Sequence, residues 1–117
     1  MITKVNFTDV LLERIPEFAD TYQEHLTRYD KVLLHVLFGD LSDFVAAAYE
    51  RDQKDLVARV IDYINDAAIS TDDNIRGMAQ VSFLMHLPRF TGYEFMRSKL
   101  NDEARRLLAI ETGEKIA

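Results

Sequence analysis

Residues 30–49 read DKVLLHVLFGDLSDFVAAAY, and this stretch decides the fold. Its apolar residues Leu34, Leu37, Leu41, Phe44 and Ala48 recur at intervals of three and four, with Phe38, Val45 and Tyr49 beside them. That period lays a single stripe along an α-helix, whereas on a strand it would scatter the same residues over both faces. The spacing predicts a core-facing helix about five turns long, capped at its start by Asp30. Gly39 stands inside it, where glycine costs roughly 1 kcal/mol relative to alanine, and marks the place for a break or a close helix contact.

The same period continues outward in both directions. Upstream, Thr8 is positioned to cap a short helix that stops before Pro16, and the proline suits the first turn of a second segment carrying Phe18, Tyr22, Leu26 and Tyr29. Downstream, Leu56, Val57, Val60, Ile61 and Ile64 form the inner face of a helix over residues 53–68. Ser70 and Asp73 stand at capping-box spacing and place a new helix start at Ser70 or Thr71. Between Met78 and Leu87 the only polar side chains are Gln80, Ser82 and His86, as in a helix buried on more than one side, and Pro88 ends it. Thr91 and Glu94 repeat the capping spacing before Tyr93, Met96 and Leu100. Asn101 caps a last helix with Leu107, Leu108 and Ile110 that stops near Gly113. The expected architecture is all-α, a compact bundle or array of six to seven helices in one domain over residues 1–117.

The composition agrees with a globular domain and narrows its chemistry. The chain has 117 residues, 48% of them hydrophobic and 29% charged. It has no cysteine, which excludes a disulfide framework, a zinc knuckle and a thiol nucleophile, and suits the cytoplasm. No signal-peptide pattern opens the chain, and no apolar run reaches the ~20 residues of a membrane span. A soluble cytoplasmic protein is expected.

Fourteen basic against twenty acidic side chains give a formal charge of −6. The excess is uneven: residues 1–75 hold 15 acids and 7 bases, and residues 76–117 hold 5 acids and 7 bases. This sign disfavours a nucleic acid or an anionic membrane as partner and favours a basic protein. The C-terminal cluster of Arg89, Arg97, Lys99, Arg105 and Arg106 is interrupted by Asp102 and Glu103, and reads as a solvated face closing ion pairs with the acidic region.

Catalytic signals are thin. There is no G-x-S-x-G elbow, the glycines are isolated, and His25, His35 and His86 share no metal-ligand spacing. Within its apolar run His35 reads as a satisfied core histidine, and His86 falls in a last turn where an imidazole suits the helix dipole. Neither a catalytic residue nor a cofactor or metal is expected.

The sharper candidates are acidic. Asp62, Asp66, Asp72 and Asp73 lie in a stretch without Lys or Arg between Arg59 and Arg76. First-turn placement explains Asp72 and Asp73. Asp66, by contrast, faces the negative end of a helix dipole, and Asp62 one turn earlier adds like-charge repulsion. Residues that break a local rule are candidates for function. Glu17, Asp20 and Glu24 form a second group along one side of helix two, and Asp40 and Asp43 a third on helix three. Long basic side chains of a partner could meet these carboxylates and be steered by them.

Three segments carry a family resemblance: Ile15-Pro16-Glu17-Phe18, Val60-Ile61-Asp62-Tyr63-Ile64, and Ser70-Thr71-Asp72-Asp73-Asn74-Ile75-Arg76 followed by Val81-Ser82-Phe83-Leu84. Together they resemble a family of small all-helical bacterial proteins of unknown function, found among the immunity proteins of polymorphic-toxin and contact-dependent growth-inhibition systems. That family pattern places a glutamate inside each of two matching helices, where this chain has Asn65 and Met85. The resemblance implies an immunity protein that binds and neutralises a cognate toxin domain, a basic nuclease, through an acidic surface. The Asp72–Arg76 stretch is also similar to one unit of a HEAT-type repeat, which gives a helical adaptor or regulator as the alternative. An enzyme is the third reading.

Overall fold

A computed structural model of the protein describes residues 1–113. Seven α-helices follow one another, with links of three or four residues except between α5 and α6: α1 (Phe7–Arg14), α2 (Ala19–Tyr29), α3 (Leu34–Glu50), α4 (Lys54–Ala68), α5 (Asp73–Met78), α6 (Tyr93–Ser98) and α7 (Asp102–Thr112). A 3-10 turn, Pro16–Phe18, leads into α2, and α5 runs on through a π turn (Ala79–Phe83) and a 3-10 stretch (Leu84–Arg89). No strand occurs among the described residues. The radius of gyration is 13.3 Å, as expected for a compact chain of this length, about 13 Å. The all-α expectation holds.

The deciding stretch folds as its spacing predicts, with one change of emphasis. Leu37, Phe38, Leu41, Val45 and Ala48 of α3 are buried, while Leu34 and Phe44 sit half-buried at the edge of the stripe. The helix neither breaks nor is closely approached at Gly39, where a Cβ would have nothing within 4 Å. Asp30 does not start this helix. It adopts a left-handed conformation (φ 60°) and terminates α2, its N–H donating to Leu26 O, and α3 begins after the extended Leu33. Aspartate tolerates the left-handed region, so the same residue type serves either helix end.

In α4 all five expected inner residues are buried, and Tyr63 joins them with no exposed surface. Its hydroxyl donates to the Phe7 carbonyl at 3.0 Å, which fastens α1 onto α4. Burial pushes the Tyr63 phenol up, out of the usual tyrosine range. Its ring and that of Phe7 flank Phe38, at 6.4 and 6.5 Å between centroids.

Three expected caps are corrected. α1 begins at Phe7, after Asn6 rather than at Thr8. The Ser70–Asp73 box is replaced by Asp72, whose carboxylate accepts the Asn74 N–H at 3.0 Å, while Ser70 Oγ donates to Ile2 O and accepts the Asp72 N–H. Gly92, not Thr91, precedes α6; a Cβ there would lie 2.5 Å from Cγ of the Tyr49 ring, so only glycine fits. At the far end Asn101 caps α7 by accepting the Ala104 N–H at 2.8 Å, and Gly113 (φ 75°) closes it.

Between Met78 and Leu87 the helix is less regular and less enclosed than the apolar run predicts. Ala79, Ser82, Phe83, Leu84 and Leu87 are buried, but Val81 and Met85 are exposed. The π turn packs against α3, α4, α5 and α7. Wedged among four helices, the turn takes its winding from its neighbours rather than from local propensity.

Candidate partner-binding surface

The outer side of α4 carries Asp55, Arg59, Asp62 and Asp66, spaced four, three and four apart, opposite the buried stripe. α1 lies against this helix, with Phe7 and Leu11 buried and Asp9 and Glu13 outward. Two arginines tie the helices together across the seam. Arg14, at the end of α1, pairs with Asp66. Arg59 grips Glu17 through both guanidinium nitrogens and also donates to the Arg14 carbonyl at 3.1 Å.

That two-pronged bond holds the Glu17 carboxyl down at about 2, well below its ordinary value of 4.5. Asp66 therefore has a structural reason that its helix position hides: its charge is met by a cation 52 residues away in sequence. Asp55, in the first turn of α4, faces Arg59 one turn on, whereas Asp9, Glu13 and Asp62 stand exposed with no ion pair or hydrogen bond among the described residues. The two adjoining faces hold six carboxylates counting Glu17 and Asp66, against two cations.

The other acidic candidates lie elsewhere. Asp72 caps α5, and its second oxygen accepts the Lys4 N–H at 2.8 Å; these backbone donors, Lys4 foremost, lower its pKa. Asp73 pairs with Arg76 one turn along the same helix. Asp20 and Glu24 are exposed on α2, and Asp43 is exposed on α3. Asp40 faces inward to His25, so the three predicted acidic groups are dispersed rather than merged.

His35 is exposed, which corrects the expectation of a core histidine there, and the buried histidine is His25. The His25 Nε2 accepts the Leu33 N–H at 2.9 Å, so the proton resides on Nδ1, which donates to Asp40 Oδ2 at 3.2 Å. Thr21, Glu24, Arg28 and Tyr29 complete a polar pocket of about 60 Å³ around this pair, room for about two waters. His25 is the one buried side chain of α2, and it joins that helix to the following loop and to α3.

Of the C-terminal bases, Arg89, Lys99, Arg105 and Arg106 make contacts within the C-terminal part of the chain rather than with the acidic region. Arg106 pairs with Glu103 on its own helix and lowers that carboxyl's pKa, Arg105 donates to Ser98 O, and Lys99 lies over the Phe95 ring at 5.5 Å. In the last turn before Phe90, Arg89 donates to His86 Nδ1. Among the described residues no group of three His, Cys, Asp or Glu side chains is placed to hold a metal ion. No helix among them is long and apolar enough to cross a membrane.

A family model described as a domain of unknown function, DUF7674, matches residues 8–114. The chain belongs to the DUF7674 family. Membership in a family of unknown function accords with the sequence expectation, and the matched span runs from the second residue of α1 through α7. Neither the curated proteins nor the solved structures contain a significant match to the chain.

What sequence reasoning missed in this DUF7674 domain is the α1–α4 seam. Asp9, Glu13 and Asp55 were not singled out, although Asp9 and Glu13 stand four apart and Asp55 continues the Asp62–Asp66 row by seven. Following the outer stripe of α4 as closely as its inner stripe would have found Asp55.

Proposed function

We propose that the protein is a non-enzymatic immunity protein that binds a basic toxin domain, of nuclease type, and neutralises it through the acidic face shared by α1 and α4. The observation that carries this reading is the set of three exposed, unpartnered carboxylates, Asp9, Glu13 and Asp62, on helices tied together by two arginines already engaged by Asp66 and Glu17. Unpaired surface acids of one sign steer a cationic partner and meet its lysines and arginines on docking. The arginine ties fix the two helices relative to each other, so the acids form a preorganised surface. The resemblance of the Val60–Ile64 and Ser70–Leu84 segments to immunity proteins supplies the class of partner.

The test is co-expression with the toxin domain encoded beside this gene. The expected result is rescue of growth and a complex that survives purification. A toxic neighbour that is neither bound nor neutralised would overturn the proposal.

A further inference from the structure

Two titratable side chains are buried among the described residues, Tyr63 and His25. Histidine is the type that changes charge between pH 5 and 8. The tyrosine fastens α1 on α4; the histidine lies on α2, a helix whose other side chains are half-buried at most. Its two ring nitrogens hold different elements. Nε2 accepts the N–H of Leu33, the residue that precedes α3, at 2.9 Å, and Nδ1–H donates to Asp40 inside α3 at 3.2 Å. One imidazole thereby closes the joint between α2, the link 30–33 and α3.

The joint is made for the neutral ring. An imidazolium donates from both nitrogens. A proton added to Nε2 points at the Leu33 N–H, so two donors stand face to face and the backbone loses its acceptor. The charged and titratable groups facing the ring are Asp40 from α3 and Glu24, Arg28 and Tyr29 from α2, while the link presents the Leu33 N–H. Two carboxylates against one guanidinium favour a cation in this pocket. The backbone donor opposes it, and does so only while the joint is closed. Proton uptake is therefore coupled to opening. Asp40, one-third exposed, stays with the charged ring as the link comes away.

The segment that opens has fixed ends. Phe18, fully buried and edge-on to Phe44 at 5.2 Å between centroids, anchors its start, and the buried Leu37 anchors its end. The Glu17–Arg59 grip lies outside it. Tyr22, Val32 and Leu34, half-buried against the core, lie within it and are uncovered when it moves.

We propose that His25 is a proton-operated latch. Neutral, it locks α2 and the link 30–33 onto α3; protonated in mild acid, it releases them as one local unit while the helices around α4 stay folded. The latch is independent of the partner-binding function proposed above.

NMR on the full chain between about pH 7.5 and 5 tests this, with the His25 ring protons reporting its charge. The nuclear Overhauser effect between the ring and the Leu33 amide is expected to fall at least fivefold as the ring titrates. Amide peaks of α2 and the link should move in step, and those of the buried Ile61 and Ile64 in α4 should stay in place. His25→Gln, uncharged and still able to accept the Leu33 N–H, is expected to abolish the transition. Asp40→Asn keeps an acceptor for Nδ1–H without the charge that favours the cation, and is expected to move the transition to lower pH.

A ring that takes up its proton with the Leu33 contact intact, or that stays neutral throughout, would overturn the latch. So would a transition that persists in His25→Gln, an unchanged midpoint in Asp40→Asn, or α4 peaks that move together with those of α2.

Discussion

Tyr63→Phe removes one oxygen from the middle of the protein and tests what holds α1 on α4. The tyrosine is fully buried, and its hydroxyl is donated to the Phe7 carbonyl, in a bond spanning 56 residues of sequence. Phenylalanine keeps the ring and its packing on Phe38, so the change isolates the hydrogen bond. A net hydrogen bond contributes about 1 kcal/mol, and leaving its buried acceptor unpaired adds to the loss, for a total of about 1–2 kcal/mol. For a domain of this size the entropy of unfolding is about 0.25 kcal/mol per kelvin, so the melting temperature should fall by about 4–8 °C. Calorimetry measures that shift. Hydrogen exchange locates it, with the α1 amides, including Ile15 N–H bonded to Leu11 O, losing protection ahead of those of α3. A melting temperature unchanged within 1 °C, or loss of protection spread evenly over all helices, would refute the idea that this bond fastens the acidic face.

Other perturbations follow from the same structure. Gly92→Ala should cost about 1–3 kcal/mol in urea denaturation, because the new methyl meets the Tyr49 ring at 2.5–2.8 Å. Gly39→Ala should stabilise by up to about 1 kcal/mol, since its methyl has open space on a regular helix. Glu17 has a depressed pKa in the folded state, so its pairing with Arg59 contributes fully above the unfolded value of 4.5 and is lost as pH falls toward about 2. Both side chains are roughly two-fifths exposed, which keeps the effect below about 1 kcal/mol, and Glu17→Gln should remove that part of the acid dependence in a pH series of unfolding curves.

The helices that could be read from the sequence are those whose signals are local. α3 and α4 announce themselves through apolar stripes, and α7 through Asn101 at one end and Gly113 at the other. Signals that depend on distant neighbours could not be read. The π turn at Ala79–Phe83 follows from packing against four helices, and Asp66 looks misplaced until Arg14 arrives from another helix. Asp30 was ambiguous because an aspartate suits both a helix start and a left-handed helix end.

The two histidines were within reach. His25 stands three residues after Tyr22 and four before Tyr29, on the stripe α2 turns inward, whereas His35 lies off the Leu37–Leu41–Val45 line of α3. Of the acidic site, sequence located Asp62 and its surroundings. It could not tell which carboxylates the chain's own arginines would neutralise, because that depends on how α1 docks.

The central claim is that acids left unpaired on α1 and α4 draw in a basic protein. The most direct test is the association rate of the toxin domain encoded beside this gene with the Asp9→Lys/Glu13→Lys/Asp62→Lys variant, by stopped flow at several salt concentrations. Reversing three charges shifts the face by six units while sparing the Arg14–Asp66 and Arg59–Glu17 pairs. Association should therefore slow at least tenfold at low salt and lose most of its salt dependence. An association rate equal to that of the unaltered protein at every salt concentration would contradict the account.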